Sequence, residues 1–191
     1  MRPASRIRAA KPAWKALRRS LTQCFDALDE DEVLIISHRG SNRYVQFAAM
    51  HDGTLLAEST SNVYIEPSPF VLTDADFAAL EALGWRRPTI NPPETYAGEC
   101  PSGSPNFHTE SDDAGGIKQI ARLAIRTLRD VYGIAHPRDL EYSAFHADGT
   151  VLRFPTLGIR ARRPQPAELE DPTMVTSFEV TDEMFDDLID E

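Results

Sequence analysis

Cys100 and His108 are the residues with the most chemical potential in this chain of 191 residues. They sit in GECPSGSPNFHTE, where a thiolate attacking under an imidazole base would suit acyl transfer. Such a centre needs a thiol of lowered pKa, a base within hydrogen-bond reach and donors for an oxyanion. Cys-Pro-Ser-Gly brings no cation, no helix start and no group to orient the base. We therefore read Cys100 as a loop thiol. A hydrolase or metalloenzyme built on residues 100–110 is the enzymatic alternative. His108, Glu110, Asp112 and Asp113 could together hold a divalent ion, but their spacing fits neither a helical ligand pair nor a calcium loop. Asp112 and Asp113 are better explained as acids favouring the start of the helix that follows. Gly115-Gly116 lacks the remaining residues of a phosphate-binding loop and reads as a helix entry. The sequence thus predicts no catalytic residue, no metal ligand and no cofactor.

The other candidates have ordinary explanations. Cys24 falls on an apolar helical stripe and reads as core. His51 stands beside an Asp-Gly turn and is expected to be exposed, while His38, His136 and His146 show no partner in the sequence. Twenty basic and 30 acidic residues give a formal charge of −10 and a pI near 5.0, which disfavours a nucleic-acid binder. The charge is uneven. Arg2, Arg6, Arg8, Lys11, Lys15, Arg18 and Arg19 make the beginning basic, and no basic residue follows Arg163. At 41% hydrophobic residues the chain can bury a core. No apolar run of about 18 residues predicts a membrane span. Two cysteines without metal-like spacing and a start without an apolar leader core favour the cytoplasm.

The elements that must position these groups follow from periodicity. Residues 1–11 read as a basic arm, and from Pro12 the series Trp14, Leu17, Leu21, Cys24, Phe25, Leu28 predicts a helix. Residues 33–37, 44–50 and 54–57 predict three antiparallel strands, with Asp52-Gly53 closing a hairpin. Along the second, Val45, Phe47 and Ala49 share one face, and Tyr44, Gln46, Ala48 and Met50 share the other, more polar one. Thr73 with Asp76 predicts a shortened capping box, Leu72 and Phe77 a hydrophobic staple, and Gly84 a helix end, with Trp85 folding back on the core. Residues 86–114 form a long polar loop, and connections of that length are uncommon in compact domains. Residues 117–132 predict the longest helix, apolar at Ile117, Ile120, Ala121, Ala124, Leu128 and Val131, and basic at Lys118, Arg122, Arg126 and Arg129. Two further strands, residues 140–147 and 150–154, surround Asp148-Gly149. The whole predicts an α+β domain over residues 12–160, with a mostly antiparallel sheet of about five strands and helices on one face. Residues 161–191 form an acidic, Pro-containing tail. In it the spacing of Met184, Phe185, Leu188 and Ile189 suits one side of a short helix capped by Thr181, the alternative being a disordered acidic tail that only aids solubility.

The segments RYVQFAAMHDGTLLAE, SNVYI, LTDADFAALEALGWRRP, SPNFHTE and RTLRDVYGIAHPRDLEYSAF resemble, in order, pieces of the bacterial TY-Chap group. That group is related to type III secretion chaperones and YbjN-like proteins. The resemblance covers residues 13–154 and leaves out the arm and the tail. It implies a non-enzymatic, cytoplasmic role in binding a protein client, and a homodimer. We expect the client surface to be the less buried, more polar sheet face with Tyr44, Gln46 and Met50, or the N-terminal helix, or both. Lys118, Arg122, Arg126, Arg129, Met184, Phe185, Leu188 and Ile189 are further candidates for partner contacts. A regulator or immunity-type protein blocking one target is the rival reading.

Overall fold

The computed structural model describes residues 4–65, 69–89 and 104–162, with side chains from Ala10 onward. The expected tail residues Met184, Phe185, Leu188 and Ile189, and Cys100, lie outside the described residues. Helix α1 (Ala4–Phe25) leads into strands β1 (Glu32–His38), β2 (Tyr44–Ala49) and β3 (Leu55–Ser59). Then come helix α2 (Asp74–Leu83), strand β4 (Phe107–Ser111), helix α3 (Ala114–Arg126), strand β5 (Leu140–His146) and the two-residue strand β6 (Arg160–Ala161). They form one six-stranded sheet in the order β4-β3-β2-β1-β5-β6. Every pairing is antiparallel except β5 with β6.

Alternation along the strands decides which residues meet the helices. Leu34, Ile36, Val45, Phe47, Ala57, Phe107, Tyr142 and Ala144 are all buried, and the register places them on one face. All three helices pack there. The Phe25 ring of α1 lies 4.6 Å from that of Phe47, and Phe77 of α2 meets Phe107 edge-on at 4.9 Å. Tyr132, just past α3, shares a 2.6 Å hydrogen bond with the Ser59 hydroxyl. Each fully buried Phe or Leu stabilises by about 1.5–3 kcal/mol, so this single layer carries most of the fold.

The apolar stripe of α1 runs back through Trp14 to Ala10, both 2% exposed. This explains why the helix begins at Ala4 instead of Pro12. Pro12 removes one helical hydrogen bond, and the burial on either side keeps the helix continuous. The start of α2 is as expected. Asp76 N–H donates to Thr73 Oγ1 at 3.3 Å, the Asp76 carboxylate accepts from Thr73 N–H at 2.9 Å, and Gly84 ends the helix at φ 115°. Trp85 is buried and donates to Thr127 Oγ1 at 2.8 Å. At that same end of α3, Thr127–Val131 forms a π-helical turn.

Two expectations need correction. The long polar stretch before α3 contains β4, which pairs with β3 along its whole length. Conversely, residues 150–154 do not form a strand. The Asp148-Gly149 turn is present, with Gly149 at φ 87°, but the return leg makes only one bridge, Phe145 to Val151. Pro155 has no N–H to extend the ladder, and it opens a 3-10 turn that buries Leu157 under α1.

Thr73→Ala removes the cap of α2 and should cost about 1 kcal/mol, seen as a lowered thermal midpoint. Thr73→Ser should recover most of that loss, since its hydroxyl can accept the same bond. An unchanged midpoint in the alanine variant would mean that Leu72 and Phe77 alone hold the helix start.

Candidate functional site

With the helices on one side, the opposite sheet face is the surface to consider. Pairing aligns Leu56 of β3 with Ala48 of β2, Ala48 with Val33 of β1, Val33 with Phe145 of β5, and Phe145 with Val151. Paired residues share a face, so these five side chains form an apolar row. At about 4.8 Å per strand it spans roughly 19 Å. Val33 is 9% and Val151 39% exposed, and Leu56, Ala48 and Phe145 are half-buried. Met50 follows Ala48 by two residues and continues the same side. Glu110 closes the row on β4, opposite Leu56, and pairs with Arg86 at 3.0 Å.

Beside the row lies a buried polar cluster. Glu58 of β3 is only 1% exposed although it points away from the helices. Gln46 Nε2 donates to its Oε2 at 2.5 Å, Asn106 Nδ2 to the same oxygen at 3.4 Å, and Ser104 Oγ to Oε1. Asn106 also donates to Tyr44 Oη at 3.3 Å and accepts from Ser61 N–H at 3.1 Å. Burial pushes the Glu58 carboxyl above the ordinary glutamate range, against the opposing effect of the Ser104, Asn106 and Gln46 hydrogen bonds and the His108 charge. Burial likewise pushes the Tyr44 hydroxyl up. On the helix side, burial raises Tyr132 to about 12. Gln46, expected on a client surface, is therefore committed to Glu58. Tyr44 is half-buried, and Met50 retains partial exposure.

The basic residues of α3 divide in two. Arg126 and Arg129 engage Asp130 at 3.7 and 2.6 Å. Lys118 and Arg122 are exposed and have no counter-ion among the described residues.

Among the described residues, His108, Glu110, Asp112 and Asp113 do not gather into a metal-binding group. Asp113 Oδ1 caps α3, accepting from Gly115 and Gly116 N–H at 2.7 and 2.9 Å, and those bonds hold its carboxyl below the usual range. Gly116 is there for closeness, since a Cβ would lie 2.6 Å from Ser111 Cβ. His108 faces Glu58 across the β3–β4 pair. Elsewhere, His51 contacts Glu30 and lies 3.6 Å from Asp31, so it is an exposed turn residue with acidic neighbours. Cys24 is buried, and desolvation raises its thiol pKa, the reverse of activation.

The residues expected from sequence, Tyr44, Gln46 and Met50, lie on the same helix-free face as Leu56, Val33, Phe145 and Val151, which sequence reading did not single out. Only the register brings these four together. Sequence reading also missed Glu58, because a lone glutamate in a strand ordinarily marks solvent.

No nucleophile–base pair converges on this face among the described residues. The chain belongs to the TY-Chap3 family, described as T3SS (YopN, CesT) and YbjN peptide-binding chaperone 3, whose family model matches residues 7–146. No curated protein and no solved structure matches the chain. No helix among the described residues is long and apolar enough to cross a membrane.

Glu58 provides a test with a defined sign. Its folded pKa is raised, so its contribution to stability is full below the unfolded value of about 4.3 and is lost as pH rises through the folded value. In urea unfolding from pH 4 to 7, wild type should lose stability relative to Glu58→Gln as pH rises. A gap moving the other way would mean that the three donors outweigh desolvation.

Proposed function

We propose that this protein binds a peptide segment of a protein client on its helix-free sheet face, without chemical turnover. The observation that carries the reading is the apolar row of Leu56, Ala48, Val33, Phe145 and Val151. A surface of this shape suits an extended or helical segment bearing apolar side chains. A small-molecule site is ordinarily a concavity of about 300–1,000 Å³, whereas two shallow grooves in this molecule hold about 240 and 170 Å³. Membership of a peptide-binding chaperone family points the same way. The client is a protein, the protein acts in the cytoplasm, and its working assembly is a homodimer. No metal, cofactor, membrane or nucleic acid is required by this role.

A regulator that blocks one target would use the same surface, and the identity of the captured protein separates the two. Affinity purification of the full chain followed by mass spectrometry should identify the client. Leu56→Asp and Phe145→Asp should then each weaken its binding at least tenfold, because charge in a desolvated contact is costly. Cys100→Ser and His108→Ala should leave function intact. Unchanged client binding in both aspartate variants, with unchanged thermal midpoints, would remove this face from the mechanism. Loss of function in the Cys100 variant would revive the enzymatic reading.

A further inference from the structure

We infer that the acidic segment of residues 181–191 docks within its own molecule, into the groove between α2 and α3. Ala79, Ala82, Leu83 and Val131 line this groove, with Arg126 and Asp130 at its rim, and it holds about 240 Å³. Leu83 also lines a separate hollow of about 170 Å³, bordered by Glu110, Gln119 and Leu123. Two alanines in its lining leave room that large apolar side chains can fill. This groove lies on the helical layer, away from the proposed client face.

The charge distribution selects the occupant. Ten of the 30 acidic residues and none of the 20 basic ones follow Arg163. Residues 1–163 therefore carry equal numbers of each sign, and the whole formal charge of −10 sits in residues 164–191. Six of those acids fall within residues 181–191. The same segment carries Met184, Phe185, Leu188 and Ile189 at helical spacing, the large apolar side chains that the groove lacks. Beside the groove, Arg122 has no counter-ion among the described residues and precedes Arg126 by one helical turn. Arg86 and Arg87 are already paired with Glu110 and Glu81.

The chain can reach. Arg162 is held beside β5 by a bond from its N–H to Tyr142 O. Residues 163–180 then span up to roughly 60 Å when extended, while the six-stranded sheet is about 24 Å wide. Docked there, the segment covers an apolar groove and masks the cationic side of α3 from other polyanions.

The test uses the full chain, comparing backbone amide and methyl NMR spectra of wild type with those of the Phe185→Asp, Leu188→Asp double variant. Resonances of Ala79, Ala82, Leu83 and Val131 should shift, and those of Leu56 and Phe145 should not. Arg122→Glu should move the same groove signals part of the way, as should about 0.5 M salt, by screening the exposed charges. Shifts confined to Leu56 and Phe145 would place the segment on the sheet face and overturn the proposal. So would the absence of any shift in the folded domain. Shifts that vanish on dilution would show the segment seated on a second copy, which also overturns docking within one molecule.

Discussion

One-sided burial is the constraint on which this molecule depends. Strand alternation puts Phe47, Ala57 and Phe107 on a single face, and the helices bring Phe25, Phe77 and Tyr132 to meet that face. Trp85 and Thr127 then tie the end of α2 to α3 through a buried hydrogen bond. Arg43 secures the same corner from the β1–β2 turn, donating to Phe70 O and Tyr132 O at 2.8 and 3.2 Å. With the three described helices all committed to one side, no described helix covers the other.

A buried carboxylate on that freer side is costly unless its oxygens are paired. Glu58 has three donors converging on it from β2 and from the segment entering β4. Such a network rewards only one register. Sliding β3 by a single residue would turn Glu58 into the apolar helical layer and expose its neighbours instead. Glu58 thereby discriminates between correct and slipped pairings, and it fixes where the edge strand and the apolar row lie relative to each other.

Local signals were the legible part of the sequence. Thr73, Asp76 and Gly84 specify α2 by chemistry acting over a few residues, and the structure has the expected capping box and left-handed helix end. Asp52-Gly53 does the same for the first hairpin. The α+β class and the helix layer on one face also follow from periodicity. What escaped were features decided by distant partners. FHTES is a strand because β3 offers it an edge, and nothing within its five residues distinguishes it from the polar stretch before it. The start of α1 lies ahead of Pro12 because Ala10 finds burial there. The apolar row has one or two members on each strand, so no single segment displays it.

An apolar row on a face that no described helix covers brings a hazard, since exposed apolar sheet surfaces can bind one another. Both edges of this sheet are blunted. On β4, His108 is bridged by Arg86 through N–H···O bonds of 2.9 and 3.1 Å, and the Arg86–Glu110 ion pair sits over the same strand. At the other end β6 is two residues long, and Pro164 and Pro166 follow it in the sequence. Short, charged and proline-flanked edges resist indiscriminate strand addition. With residues 1–163 electrically balanced, the protection that net charge gives against non-specific association comes wholly from residues 164–191. The molecule thus separates its features in space: the helical layer supplies stability, the edges resist self-pairing, and the apolar row between them is the surface to which we assign the client segment.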